Sequence, residues 1–431
     1  MPALEDAING ELTAPMRELA RARRRTDELF NLIPEALLFE RPIAERHRLA
    51  FYLGHLEAFD VNLLLSGHER PKPVDSLDRL FAFGIDPTDG KLPQDRREDW
   101  PPLTAIRAYA RRTRARLDLW LDETRVRPHD AQTLTQLQAA IEHRWMHAET
   151  LAYLLNRLPL TRPIRNLPAY RRESDHGTVE VEAGEVLLGS TGGFAWDNEL
   201  AAHRISLPAF RIDRHMVTNG QFLRFMEVGG YAERRYWSAE DWQWRTAHEV
   251  EQPAAWQRGQ REWLLYSRAD LIPLQAEWPV YVSHAEATAY ARWAGRQLPT
   301  EAQWQRAAYG DGNEPYPWGD ALPDTEHGNF DFAGWDPAPV DAHPRGASAC
   351  GALGMLGNGW EWTRSVFAPF RGFRAMDFYP GYSADFFDGR HFVLKGGSPH
   401  TALGLLRRSF RNWFQPHYQY VFAGFRCVDE P

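Results

Sequence analysis

Cysteine is scarce. Cys350 and Cys427 are the only two in 431 residues, too few for a disulfide framework in a chain of this size and suited to a reducing compartment. Long apolar runs are missing as well. No stretch approaches the ~18 residues of a membrane-spanning helix, and the opening MPALEDAINGELT has neither the basic nor the apolar region of an export signal. A cytoplasmic protein without membrane association is the expectation. Positive charge is not in excess either. The net charge of -8 argues against nucleic acid as a partner, because neutralising phosphates needs a basic face. The run Arg21 to Arg25 sits among Glu18, Asp27 and Glu28 in a helical pattern and reads as a solvated helix face. Tandem repeats and low-complexity tracts are absent, which excludes a solenoid.

What is present falls into two grammars, and the length favours two domains over a single core. Residues 1–160 carry apolar residues at i, i+3 and i+4 with few glycines, which predicts a bundle of four helices: Pro2 to Leu32, Ile43 to Leu65, Leu103 to Glu123 and Asp130 to Asn156. Ser66 to Pro102 is a long connection rich in Pro, Asp and Gly, of a length usually reserved for function. Residues 161–178 read as a linker. Residues 179–431 mix short alternating segments, Val179 to Leu188 and Ile205 to Ile212, with Gly and Pro turns and many aromatics. Helices are expected at Asn219 to Gly229, His284 to Ala294 and Thr300 to Tyr309. The fold class is therefore α plus α+β, a helical bundle followed by an irregular, loop-rich domain.

Within the bundle, Ile141-Glu-His-Arg-Trp-Met-His147 places His143 and His147 four apart, on one face of a helix and within reach of one metal ion. The competing reading is two polar residues on a solvated face. Phe51-Tyr-Leu-Gly-His55 puts a third imidazole in an apolar turn that must face the bundle interior. Three nitrogens on one side of a metal leave open positions opposite, which means chemistry more than structure. Zinc would accept the same ligands as iron. Glu57 and Glu149 are each two residues from such a histidine, so they point away from the metal face, as outer groups or surface groups. His47, His68 and His129 have no comparable partner.

In the second half, four segments recur in one known fold: Asp213-Arg-His-Met-Val-Thr-Asn-Gly-Gln-Phe222, Arg296-Gln-Leu-Pro-Thr-Glu-Ala-Gln-Trp304, Gly357-Asn-Gly-Trp-Glu-Trp-Thr363, and Leu394-Lys-Gly-Gly-Ser398 leading to Phe425-Arg-Cys427. Together they resemble the formylglycine-generating-enzyme domain, a C-type-lectin-like fold. Read physically, Trp304, Trp360 and Trp362 are core anchors, while Gly396 and Gly397 suit unusual dihedrals or a close approach. Formylglycine enzymes place a cysteine pair just after the Gly-Gly segment. Here the chain reads Ser-Pro-His-Thr, which rules out that oxidation of a protein cysteine.

A DinB-like four-helix bundle with H…H-x-x-x-H, followed by this domain, resembles the sulfoxide synthases of ergothioneine biosynthesis and their ovothiol and selenoneine relatives. The resemblance implies Fe(2+) on His55, His143 and His147, with O2, hercynine and a thiol or selenosugar donor as partners, and C–S or C–Se bond formation at the imidazole C2. It implies a tyrosine proton donor in Phe378-Tyr-Pro-Gly-Tyr-Ser383, Tyr379 first and Tyr382 second. The alternative for that segment is a turn with packed rings. Phe410-Arg-Asn-Trp-Phe414 resembles the stretch lining the substrate pocket, with Asn412 as a hydrogen-bond donor and Trp413 as a face for a quaternary ammonium. Phe414 stands where the γ-glutamylcysteine branch is typically acidic. Overall likeness, including Leu80-Phe-Ala-Phe-Gly-Ile-Asp86 and Gln415-Pro-His-Tyr418, favours the selenoneine branch. A ligand-binding protein with a lectin-like fold and a zinc-dependent thiol transferase are the readings of another class.

Overall fold

The computed structural model describes residues 14–65, 76–82, 92, 94–124, 131–167 and 177–429. His68, His129, most of the segment from Leu80 to Asp86, and the start of the predicted first helix lie outside them. The chain divides into two compact units, Met1–Leu160 and Thr161–Pro431. No helix among the described residues is long and apolar enough to cross a membrane.

In the first unit four long helices, α1 (Ala14–Asn31), α2 (Leu49–Leu64), α4 (Leu103–Thr124) and α5 (Ala131–Leu155), are joined by a short one, α3 (Ser76–Leu80). Helix α2, LAFYLGHLEAFDVNLL, is buried over nearly its whole surface, as an all-round apolar helix must be. The same holds for α5 from Gln136 onward. Two points differ from the sequence expectation. Helix α2 begins at Leu49 and not at Ile43, because Arg48 is extended there and its guanidinium reaches the Phe39 carbonyl and Asp95. The first amides of α2, Leu49 and Ala50, bond back to Glu40 and Leu38 carbonyls. The Arg21 to Arg25 run is only partly solvated: Arg23 pairs with Asp118 across helices and Arg21 lies 4.8 Å over the Trp145 ring.

The second unit is built around a four-stranded sheet, β10 (Asn412–Phe414), β9 (Phe392–Gly397), β8 (Gly359–Val366) and β11 (Ala423–Gly424), in that order, with β11 parallel to β8. Residues 161–167, read as linker from sequence, belong to this unit. Ile164 bridges to Leu271 and Arg165 pairs with Asp270. Small sheets surround the core: β1 (Thr178–Val181) with β4 (Phe210–Asp213), β2 (Gly184–Leu188) with β3 (His203–Leu207), and a meander of β5 (Trp256–Arg258), β6 (Trp263–Ser267) and β7 (Asp270–Pro273). Helices α6 (Asn219–Glu227), α8 (His284–Trp293) and α9 (Glu301–Tyr309) start where Thr218, Ser283 and Thr300 cap them with Gln221, Glu286 and Gln303 in reciprocal boxes. A further helix, α7 (Ala239–Ala247), was not expected. Trp304, Trp360 and Trp362 are buried to 1, 2 and 0 % exposure, as core anchors should be.

Arg426 and Glu361, both fully buried, form a two-pronged pair of 2.6 and 2.7 Å between the chain end and β8. The remaining Arg426 protons go to the carbonyls of Asp213, Arg214 and Leu353. Removing one partner strands the other charge. Glu361→Ala is therefore expected to destabilise this unit by about 3–5 kcal/mol, read as a lowered urea midpoint.

Candidate functional site

The three histidines expected from sequence come together. His55 on α2 and His143 and His147 on α5 are buried to 3, 2 and 0 % exposure. One ring nitrogen from each lies within 4.8 Å of the other two. The Nε2 atoms of His143 and His147 are 3.1 Å apart. Two nitrogens about 2.1 Å from a common metal, at right angles, would be about 3 Å apart, so the separation fits an ion. His55 Nδ1 lies 2.9 Å from the Phe81 carbonyl, an acceptor, so Nδ1 carries the proton and Nε2 the lone pair. That Nε2 is buried with no hydrogen-bond partner, which costs free energy unless a ligand satisfies it.

The walls are aromatic. Phe51 stacks on His55 at 4.7 Å, Phe59 on His143 at 3.4 Å, and Tyr52 lies tilted against His147 at 5.4 Å. This burial disfavours the imidazolium. His55 is lowered to about 4, chiefly by burial and against the pull of its Phe81 bond, while His143 and His147 fall well below the ordinary value for the same first cause. All three are neutral at pH 7, the state in which imidazole binds a metal.

Glu57 is not a surface group. It is 3 % exposed and takes hydrogen bonds from Arg114 and Arg144. Burial raises its pKa, but those two cations outweigh it and bring it down to about 2. Arg144, next to His143, also reaches Asp60 at 2.5 Å and the Leu56 carbonyl at 3.0 Å. A charged residue in the buried run around His143 is a sequence signal that could have revealed this pair. Phe81, acting through its backbone oxygen, has no such signal.

In the second unit Tyr379, Tyr382 and Trp413 share one aromatic cluster. Tyr382 is buried, stacks on Trp196 at 3.9 Å and meets Trp413 edge-on at 5.4 Å. Tyr379 is half-buried, 5.6 Å from Tyr382. One face of Trp413 is covered by Phe367 at 4.2 Å. Because side chains alternate along a strand, Asn412 and Phe414 fall on the other side of β10. Asn412 Oδ1 accepts from the Trp413 amide at 2.9 Å, and Phe414 stacks on Tyr418 at 4.9 Å.

Sequence reading missed the segment Trp196–Glu199. Trp196 supports Tyr382, Asp197 and Asn198 hold the Ser383 hydroxyl, and Glu199 takes Arg407 and Ser409. The turn after Gly397 is closed on itself: the Ser398 amide donates to Thr401 Oγ1 at 2.8 Å and the His400 amide to Ser398 Oγ at 3.1 Å.

A histidine-lined bundle joined to such an aromatic domain defines a two-part class. Residues 165–431 match the sulfatase-modifying factor enzyme 1-like domain, and residues 18–151 the DinB superfamily. The hercynine oxygenase of Mycobacterium tuberculosis is 39% identical over 72% of this chain and 74% of its own length; that of Mycolicibacterium thermoresistibile is 35% identical over 96% and 94%. Ergothioneine biosynthesis protein 1 of Neurospora crassa is 26% identical over 92% of this chain and 55% of its own. The chain belongs to the hercynine oxygenase family.

The depressed histidines make a pH prediction for the metal-free protein. Below pH 6.5 the unfolded chain takes up protons that the folded chain refuses, so stability is complete above 6.5 and is lost as pH falls toward 4. For His55 the shift from 6.5 to about 4 corresponds to roughly 3 kcal/mol. Melting temperature should drop between pH 7 and 5, and His55→Phe should flatten that drop.

Proposed function

We propose that the protein is an Fe(2+)- and O2-dependent enzyme that joins a chalcogen donor to C2 of the hercynine imidazole and leaves the product as a sulfoxide or selenoxide. With a thiol the balance is RSH + hercynine + O2 → sulfoxide + H2O: O2 takes four electrons, two in forming the C–S bond and two in oxidising sulfur. The observation that carries the reading is the buried triad His55, His143 and His147, neutral and with an unsatisfied Nε2 on His55, in a chain related to hercynine oxygenases.

These three histidines would hold the iron and leave positions for substrates. Bound there, iron(II) supplies the one-electron chemistry that O2 requires. The chain's own residues bind and move protons. Tyr379 serves as proton donor, with Tyr382 second; Tyr382 is packed on Trp196 and restrained, which favours the half-buried Tyr379 for transfer. Asn412, on the other side of β10 from Trp413 and with its Oδ1 engaged by the Trp413 amide, is left without a contact to the betaine that Trp413 would meet. Trp413 and its neighbours offer π faces to the trimethylammonium.

The donor we propose is a selenosugar, as in the selenoneine branch. Phe414 stacks on Tyr418, an aromatic wall of the kind a sugar ring packs against, and that supports the sugar donor. The names of the relatives favour the rival, cysteine or γ-glutamylcysteine as in an ergothioneine-type sulfoxide synthase. Incubating the iron-loaded protein with hercynine, O2 and each donor in turn decides between them. Product with the selenosugar alone supports the selenium reading, product with a thiol alone replaces it, and no product with any donor overturns the enzyme reading. Tyr379→Phe is expected to lower turnover about 10²–10⁴-fold with iron content unchanged.

A further inference from the structure

We propose that the segment 76–82, which contributes no ligand, is a positioning element of the metal site, seated through Gly54, and that seating and metal binding favour each other. The inference rests on reading His55, His143 and His147 as the ligands.

Helix α2 holds one glycine, Gly54, immediately before His55. Glycine is a poor residue for a helix interior, and this one needs no unusual backbone angle. It needs the absence of a side chain. A Cβ at position 54 would lie 2.5 Å from three atoms of the Phe81 ring, closer than packed carbons come. Phe81 is completely buried, with Tyr109, Phe51 and Trp100 at 5.1, 6.3 and 6.5 Å around its ring. Two consecutive residues of α2 thus meet one residue of the segment: Gly54 takes its ring and His55 donates to its carbonyl at 2.9 Å.

The segment is itself braced. The Phe81 amide bonds to the Leu77 carbonyl at 3.0 Å, and Tyr109 of α4 donates to Asp78 at 2.8 Å. Its carbonyl therefore arrives at a fixed place and selects the His55 tautomer whose Nε2 lone pair faces the other two histidines. A ligand histidine held this way is oriented and made more basic. Because the seated segment favours the metal-binding tautomer, a bound metal must favour the seated segment by the same factor.

Cobalt(II) added to the full-length protein tests this, with affinity read by titration and segment seating by amide hydrogen exchange. Gly54→Ala is expected to weaken cobalt binding about 10–100-fold while the helical circular dichroism is retained. Adding Phe81→Leu, which makes room for the methyl and keeps the backbone carbonyl, should restore most of the affinity. In the unsubstituted protein cobalt should slow exchange across 77–82. Gly54→Ala that binds as tightly as the parent, or exchange indifferent to cobalt, overturns the proposal. If the substituted protein does not fold, the exchange measurement decides alone. Failure of the parent to bind cobalt, or parent-like binding by His55→Ala, would instead overturn the ligand reading itself.

Discussion

Arg144 carries its charge into a part of the bundle where its side chain has no exposed surface. Desolvation of a guanidinium is expensive and is offset by close, hydrogen-bonded partners. The Nη1 and Nη2 groups find Glu57, Asp60 and the Leu56 carbonyl on α2 and Thr26 Oγ1 on α1, while Nε has none. Arg144 follows His143 in the chain and Leu56 follows His55, so the clamp ties together the neighbours of two converging imidazoles. Sliding one helix by a residue would break the ion pairs before it disturbed the apolar contacts. Burial does most to lower the proton affinity of all three histidines and the Arg144 charge adds to it, while Glu57 and Asp60 balance a charge that would otherwise oppose a second cation.

The C-terminal unit reaches a comparable rigidity by another route. Trp196–Glu199 is a single short turn, yet through stacking, hydroxyl and carboxylate contacts it holds both the loop of Tyr382 and Ser383 and the approach to β10 through Arg407 and Ser409. Arg411, paired with Glu301 on α9, also bonds to the Asn198 carbonyl. Three parts of the chain distant in sequence are thereby fixed to one turn. Phe414 and Tyr418 lie on the opposite side of β10 from Trp413, so residues there can vary without loosening the tyrosine loop.

Much of this was legible in the sequence. The triad was, because helical spacing and an apolar context are local signals. The three capped helices were, because each cap and its partner lie three residues apart. The small sheets were only partly legible, since short strands of mixed burial carry little periodicity. The early start assigned to α2 failed because Arg48 and Asp95, far apart in sequence, decide where that helix begins. Whether Glu57 was an outer group of the site or a surface group stayed open in the sequence, because geometry along one helix cannot reveal cations supplied by two others. Phe81 was invisible because a backbone oxygen is the same in every residue.

The closed turn at Ser398–Thr401 bears on the redox character of its surroundings. A thiol pair there would be open to stepwise oxidation, ending in states that are not recovered. The turn instead uses hydroxyls and amides bonded to one another. Of the two thiols present, Cys427 is fully buried and burial pushes it well above its ordinary pKa, while Cys350 donates to the Ala307 carbonyl. The Ser398–Thr401 turn thus holds its shape by ordinary hydrogen bonds alone, and its geometry does not depend on the redox state of any thiol.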